Sequence, residues 1–149
     1  MCQLHRVNRQ LIDANWQRIK NSGGPFLKGP ASSYGQFEAF LSQAAFAVEL
    51  DYGLIPFDRT NDRGRLQAHG FFWSHQVFRH TKELRSMFDN VMLLMDVRRV
   101  EIIFPVHVKG IHAILNRMEF EHEGTLRAYF KWSGEVYDAS IYSLTKVEE

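Results

Sequence analysis

Histidines at two positions could move protons. His75 comes just after Phe71-Phe72-Trp73, and His107 just after the apolar run "VEIIFPV" at residues 100–106. An imidazole titrates near neutrality, so either could take up or return a proton, directly or through water. His69 lies inside a β-like run, where a hydrogen-bonded structural role is expected. His107 and His112 are five residues apart, which does not place them on one helical face as an i, i+4 metal-binding pair requires. Glu119, Glu121 and Glu123 alternate with His122 and fall on the opposite parity, so they read as a solvated strand face. No metal site is expected. Cys2 has no partner pattern for nucleophilic catalysis, no G-x-S-x-G elbow occurs, and Gly23, Gly24 and Gly29 lack the Lys-Ser/Thr of a phosphate-binding turn.

Elements that would position these side chains follow from periodicity. Asn8 can cap a helix carrying Leu11, Ile12, Trp16 and Ile19, which ends at Ser22-Gly23-Gly24-Pro25. Residues 21–34 read as a flexible loop, and a short helix over 35–43 has Phe37, Phe40 and Leu41 on one side. Strands are expected at 45–50, 54–58 and 65–73, the latter two joined by the turn Thr60-Asn61-Asp62-Arg63-Gly64. Leu84, Met87, Phe88, Val91, Leu94 and Met95 mark one face of a helix beginning at Thr81. Residues 100–106 read as a strand buried on both faces. Val108, Ile111, Leu115 and Met118 form another helical stripe. Then "NRMEFEHEGTLRAYF" (116–130) leaves the helix and alternates strictly, with Phe120 to Phe130 as the inward parity. A turn at 131–134 leads to a last strand over 135–144. The strand–helix–strand unit at 100–130 permits a parallel pair, and the remaining connections are hairpin-like. The expected fold class is α+β (mixed α/β): a mostly antiparallel mixed sheet of about six strands flanked by about four helices.

The bulk numbers agree with one folded domain spanning 1–149. At 149 residues, folding buries roughly 70% of the unfolded surface, and 12 Phe and 3 Trp supply a core. A net charge of +1 gives no electrostatic footprint for nucleic acid or anionic membrane. The single cysteine excludes an intrachain disulfide, and neither a signal peptide nor a membrane-spanning run is evident. A cytoplasmic protein is the expectation. Oligomeric state is not legible.

The C-terminal third, "VEIIFPVHVKGIHAILNRMEFEHEGTLRAYFKWSGEVYDASIYSL" (100–144), resembles the GCN5-related N-acetyltransferase (GNAT) superfamily, through its "F..EG.LR…Y…G.YYD..IYSL" pattern. The resemblance implies central strands that splay apart to hold acetyl-CoA, and direct acyl transfer to the amine of a small molecule or protein. It implies that "FRHTKELR" (78–85) opens the helix whose start cradles the pyrophosphate, which points to Phe78, Arg79, His80, Thr81, Lys82 and Arg85. It also places His75 and His107 after the strands that frame the acetyl site. The family's glycine turn is absent: Thr81, Glu83 and Arg85 stand where small residues would be expected, and Arg79, His80, Lys82 and Arg85 could contact phosphates by side chain instead. Val108 and Leu115 occupy the slots of the family's Asn and Tyr, so the leaving thiolate needs another acid or water. Glu119 occupies the slot of the glycine in its "[LM]-G-F" turn. The alternative is a GNAT-like domain without catalysis, a structural or interaction protein of the kind some bacteriophages encode.

Overall fold

The structure, a computed structural model, describes residues 3–22, 33–132 and 134–146. Cys2, Gly23, Gly24, Gly29 and most of the loop at 21–34 lie outside these. The described chain has four α-helices and a mostly antiparallel mixed sheet of eight strands. It divides into two compact units, residues 1–58 with 69–79, and residues 59–68 with 80–149.

The first unit holds α1 (Arg9–Ser22), α2 (Tyr34–Gln43), β1 (Gln3–His5), β2 (Phe46–Leu50) and β3 (Gly53–Arg59). Asn8 caps α1 as its type predicts: its Oδ1 accepts the Leu11 N–H at 2.8 Å and its carbonyl accepts the Ile12 N–H at 3.1 Å. Ser33 caps α2, accepting the Gln36 N–H. Leu11, Ile12, Ile19, Phe37 and Leu41 meet Ala47 and Leu54 in one core cluster. Each large side chain buried there contributes about 1.5–3 kcal/mol. Asn15 is fully buried, and its amide bonds both the Leu11 carbonyl and Glu49 of β2 at 2.9 Å, tying α1 to the sheet. The two helices are clasped at their surface by Tyr34, which donates to Asp13 and accepts from Arg9. β2 pairs antiparallel with β3, Val48 opposite Ile55, and β1 pairs with β2, Leu4 opposite Val48.

The second unit contains β4 (Arg65–Ala68), α3 (Thr81–Leu94), β6 (Arg99–Pro105), α4 (Lys109–Arg117), β7 (Glu121–Trp132) and β8 (Glu135–Thr145). β5 (Phe71–Phe72) belongs to the first unit and pairs with Gly53–Leu54 of β3. Eight strands replace the expected six for two reasons. Residues 3–5 add a strand too short to show a period. The run 65–73 is broken at Gly70, where a Cβ would lie 2.8 Å from the Phe72 ring, so the chain bends tightly there.

Both helices of the second unit end in the same way. In α4 the Phe120 N–H bonds the Leu115 carbonyl at 3.0 Å and the Glu119 N–H bonds the Asn116 carbonyl at 3.1 Å. In α3, Val97 N–H reaches the Met92 carbonyl and Asp96 N–H the Leu93 carbonyl. These are Schellman motifs, each sealed by a buried apolar pair, Phe120 with Leu115 and Val97 with Met92. The left-handed residue is acidic in both, Asp96 at φ 53° and Glu119 at φ 63°. The α3 stripe of Leu84, Met87, Phe88 and Val91 is buried as expected, but Leu94, the last residue of the helix, is 71% exposed. On α4, Ile114 takes the place of Ile111 among the buried residues.

β7 departs from the strict alternation of its sequence. Its register with β8 shifts between His122 and Gly124 and again between Leu126 and Phe130, with Ala128 at φ 52°. Each shift turns the following side chains over. Ala128, inside the second shift, and His122, just before the first, are exposed rather than inward. Glu123, expected on a solvated row, is instead the acceptor for Arg99, whose Nη1 donates to it at 2.7 Å, and for the Ser143 hydroxyl at 2.7 Å. Arg99 also donates through Nε to the buried Glu101 at 2.9 Å.

Candidate functional site

The parallel pair β4–β6 provides the opening. Arg65–Ala68 pairs residue by residue with Arg99–Ile102. β8 follows β6 further, to Pro105 opposite Ala139. Over Ile103–Pro105, therefore, β6 is paired with β8 alone in this unit, because its parallel partner ends at Ala68. Ile103 and Phe104, without a second strand in their own unit, form an edge that suits an extended, amide-bearing ligand.

At the end of β6 the chain turns through Val106 and His107 into α4. Val108 heads the helix without a side-chain cap. The exposed His107 ring lies against Tyr137 with centroids 4.5 Å apart. The Tyr137 hydroxyl donates to Glu135, and that bond raises its pKa. One helical turn on, His112 places Nε2 at 3.1 Å from the Val106 carbonyl and Nδ1 at 3.0 Å from the Tyr142 hydroxyl. A carbonyl only accepts, so Nε2 carries the proton and, in the neutral ring, Tyr142 donates to Nδ1. Phe104 closes one side of this pair at 4.6 Å, and burial raises the Tyr142 pKa. Sequence reading weighed His112 only as a metal ligand. Its partner is 30 residues away, and neither spacing nor composition marks it.

A 3₁₀ turn over His75–Arg79 precedes α3, anchored by buried Val77. The exposed His75 ring stacks loosely on half-buried Phe78, and Arg79 is exposed. His80 heads α3 with no side-chain cap, its Nδ1 3.4 Å from Glu83 in the first turn. Thr81 is half-buried and Lys82 exposed. His80 supplies no side-chain cap, and the helix start is a favourable place for negative charge. Arg85 is engaged elsewhere. Its Nη1 donates to the Met118 carbonyl at 2.6 Å and its Nε to Asp89 at 3.2 Å, so the guanidinium braces the C-terminus of α4.

In the first unit, His69 is held by Asp58, Nε2 to Oδ2 at 2.8 Å. Sequence reading gave His69 a hydrogen-bonded role without naming the partner. Hairpin geometry could have found it: the His69 N–H bonds the Pro56 carbonyl, which makes Asp58 a diagonal neighbour. Among the described residues no group of three or more His, Cys, Asp or Glu side chains is arranged to hold a metal ion, and no helix is long and apolar enough to cross a membrane.

No family model matches the chain, and no curated protein matches it in sequence. Solved structures match it closely in shape. The acetyltransferase from Salmonella typhimurium that modifies the N-terminal serine of a 50S ribosomal subunit protein superposes with a TM-score of 0.75 at 12% identity, covering 98% of this chain and 95% of that one. The microcin C7 self-immunity acetyltransferase, in complex with acetyl-CoA and AMP, gives 0.73 at 15% identity, over 97% and 92%. A GNAT-family acetyltransferase from Bacillus anthracis gives 0.72 at 11% identity, over 97% and 94%. At such identities it is the backbone that is shared, and the chain has the GNAT fold.

Proposed function

We propose that this protein is an acetyl-CoA-dependent N-acetyltransferase, a single catalytic domain that transfers the acetyl group directly to a primary amine. The observation that carries the reading is the start of α3, which His80 heads without a side-chain cap, within a GNAT fold. Backbone N–H groups there, with the exposed side chains of Arg79 and Lys82, fit a pyrophosphate, while Glu83 is drawn towards His80. Phe78, His80 and Thr81 shape the same turn. Arg85 contributes by fixing α4 through the Met118 carbonyl. The edge of β6 at Ile103 and Phe104, which has no second strand in its own unit, fits an amide-bearing arm.

Acetyl-CoA supplies the activated acyl group. This chain binds and orients it, and manages protons. His75 and His107, both exposed, exchange protons with water. Tyr142 and His112 form a hydrogen-bonded donor pair beside the end of β6, a substitute for the tyrosine that Leu115 replaces. Amines of small molecules or of protein N-termini are the acceptor class, in keeping with what the similar structures modify.

Thermal unfolding with acetyl-CoA tests the reading. At a hundred times its dissociation constant a ligand adds about 2.7 kcal/mol, or roughly 5–10 °C for a chain of this length. Arg79→Ala with Lys82→Ala should cut that shift, and most strongly at low salt. Absence of any shift at millimolar acetyl-CoA would sink the proposal.

A further inference from the structure

We infer that His112 and Tyr142 form a proton relay whose direction reverses with the charge on His112, the hydroxyl so released protonating the departing thiolate of the acyl donor. The inference rests on the transferase reading and deepens it, since it places the donor pair under the control of pH. Every residue it uses belongs to the second unit, as do the β4–β6 opening and the start of α3. Tyr142 on β8 is paired with Ile102, the last residue of β6 that β4 accompanies. Its ring runs towards the carboxyl end of β6. The hydroxyl meets His112 Nδ1 at 3.0 Å, and Nε2 of the same imidazole meets the Val106 carbonyl at 3.1 Å. The hydroxyl therefore lies within the span from Ile102 to Val106, which includes the edge at Ile103 and Phe104 that has no second strand in its own unit. Phe104 packs against both partners, stacked on Tyr142 at 5.7 Å and edge-on to His112 at 4.6 Å.

The Val106 carbonyl only accepts, so Nε2 is a donor in either charge state and Nδ1 is the nitrogen that changes. With His112 neutral, Tyr142 donates to Nδ1 and its proton is turned to the imidazole. With His112 protonated, Nδ1–H donates to the Tyr142 oxygen, and the hydroxyl hydrogen is released towards a ligand. The hydroxyl has no other hydrogen-bond partner among the described residues to hold that hydrogen. Acid strength points the same way. Burial raises the Tyr142 pKa above the ordinary 10.0, so alone it is a weaker acid than a thiol, at about 8.5, that it would have to form. An imidazolium, at about 6.5, is the stronger acid, and a proton passed from it through Tyr142 runs downhill. Other ionisable groups flank the pair. β7 brings exposed His122, its ring 4.7 Å from Tyr142. α4 brings exposed Lys109 one turn earlier, and the turn before α4 brings His107, whose ring lies against Tyr137 of β8. β6 presents apolar Phe104, and α3 reaches α4 further along, where Arg85 bonds the Met118 carbonyl.

In the step, the amine nitrogen forms a bond to the acyl carbon and gives one proton to water. The C–S bond breaks and its electron pair leaves on sulfur, which takes the Tyr142 proton as Tyr142 takes the Nδ1 proton of His112. Neutral His112 regains a proton from water, so amine and thioester give amide and thiol with no other reactant.

The test joins nitrogen-15 NMR of the imidazoles to kinetics over about pH 6–9, with acetyl-CoA and the weakly basic amines methoxyamine and trifluoroethylamine, which stay largely neutral there. Wild-type kcat should be full on the acid side and fall as the pH rises, with the midpoint at which NMR shows His112 Nδ1 losing its proton. Tyr142→Phe should lower kcat by about 10²-fold at the acid end and flatten the profile. His112→Gln, which keeps an amide N–H but has no charge to lose, should flatten it likewise, whereas His122→Gln should keep the wild-type limb. Tyr142→Phe and His112→Gln should stay folded by circular dichroism, with the acetyl-CoA thermal shift within about 1 °C of wild type. A neutral wild-type His112 with its proton on Nδ1 would overturn the relay, whatever the variants do. So would a folded Tyr142→Phe with kcat within about threefold of wild type, or a variant of either kind that is slowed equally at every pH. A wild type that binds acetyl-CoA but turns over neither amine would overturn the relay alone. One that gives no acetyl-CoA shift would overturn the transferase reading, and the relay with it.

Discussion

Replacing Glu119 by glycine should stabilise the protein. Glu119 occupies the left-handed position that ends α4, at φ 63°, where a Cβ crowds the backbone and costs about 1–2 kcal/mol. Glycine removes that cost but adds unfolded-chain entropy of about 0.4–1 kcal/mol. Two electrostatic changes nearly cancel. A carboxylate at a helix C-terminus opposes the dipole by about 0.3 kcal/mol at an exposed site. The pair it makes with Arg85, at 3.9 Å and with the glutamate side chain 86% exposed, returns a similar small amount. Arg85 keeps its bond to the Met118 carbonyl in either case. The net gain is about 0.5–1 kcal/mol, which raises Tm by roughly 1–4 °C. Thermal and urea unfolding of the wild type, Glu119→Gly and Glu119→Ala would measure it. Alanine retains the crowded Cβ and should gain nothing comparable. A lower Tm for the glycine variant, or equal gains for both, would refute backbone strain as the source.

Glu123 should govern part of the acid stability. Arg99 first, then Ser143, lower its carboxyl from the ordinary 4.5 to about 2. A value depressed by folding contributes stability that is complete above about 4.5 and is lost as the pH falls towards 2. Glu123→Gln should therefore be less stable near neutrality and show a flatter acid limb, and parallel acid curves for the two proteins would count against the assignment. Removing both exposed histidines, His75→Ala with His107→Ala, should slow transfer by about tenfold in dilute buffer and recover with added imidazole. A rate equal to wild type at every buffer concentration would discard them as proton carriers.

Local signals reported faithfully where one element decided its own shape. Asn8, the α3 stripe from Leu84 to Val91, and the 60–64 turn needed no tertiary information. The C-terminal pattern specified the fold because helix, turn and paired strands are contiguous there. What failed depended on partners. Gly70 breaks a strand because of the Phe72 ring. Leu94 fits the helical period but is left on the exposed side of the last turn, where Met92 and Val97 are buried instead. The Glu123 carboxylate looked solvated until Arg99, on another strand, met it. The candidate site was less legible still. His75, His107 and the start of α3 could be singled out by following the chain, whereas Tyr142 with His112 and Asp58 with His69 are pairs made by folding. Arg85 had a charge suited to phosphate but a nearer acceptor in the Met118 carbonyl.

The irregularity of β7 has a bearing on solubility. In its unit this strand pairs with β8 alone, so its other edge offers twelve residues of backbone to any passing chain. A flat strand with the alternation its sequence spells would template edge-to-edge association. Two register shifts and the left-handed Ala128 twist it out of the straight geometry an added strand requires, and exposed Glu121, Arg127 and Lys131 make close approach costly. The breaks in β7 thus act as protection against aggregation.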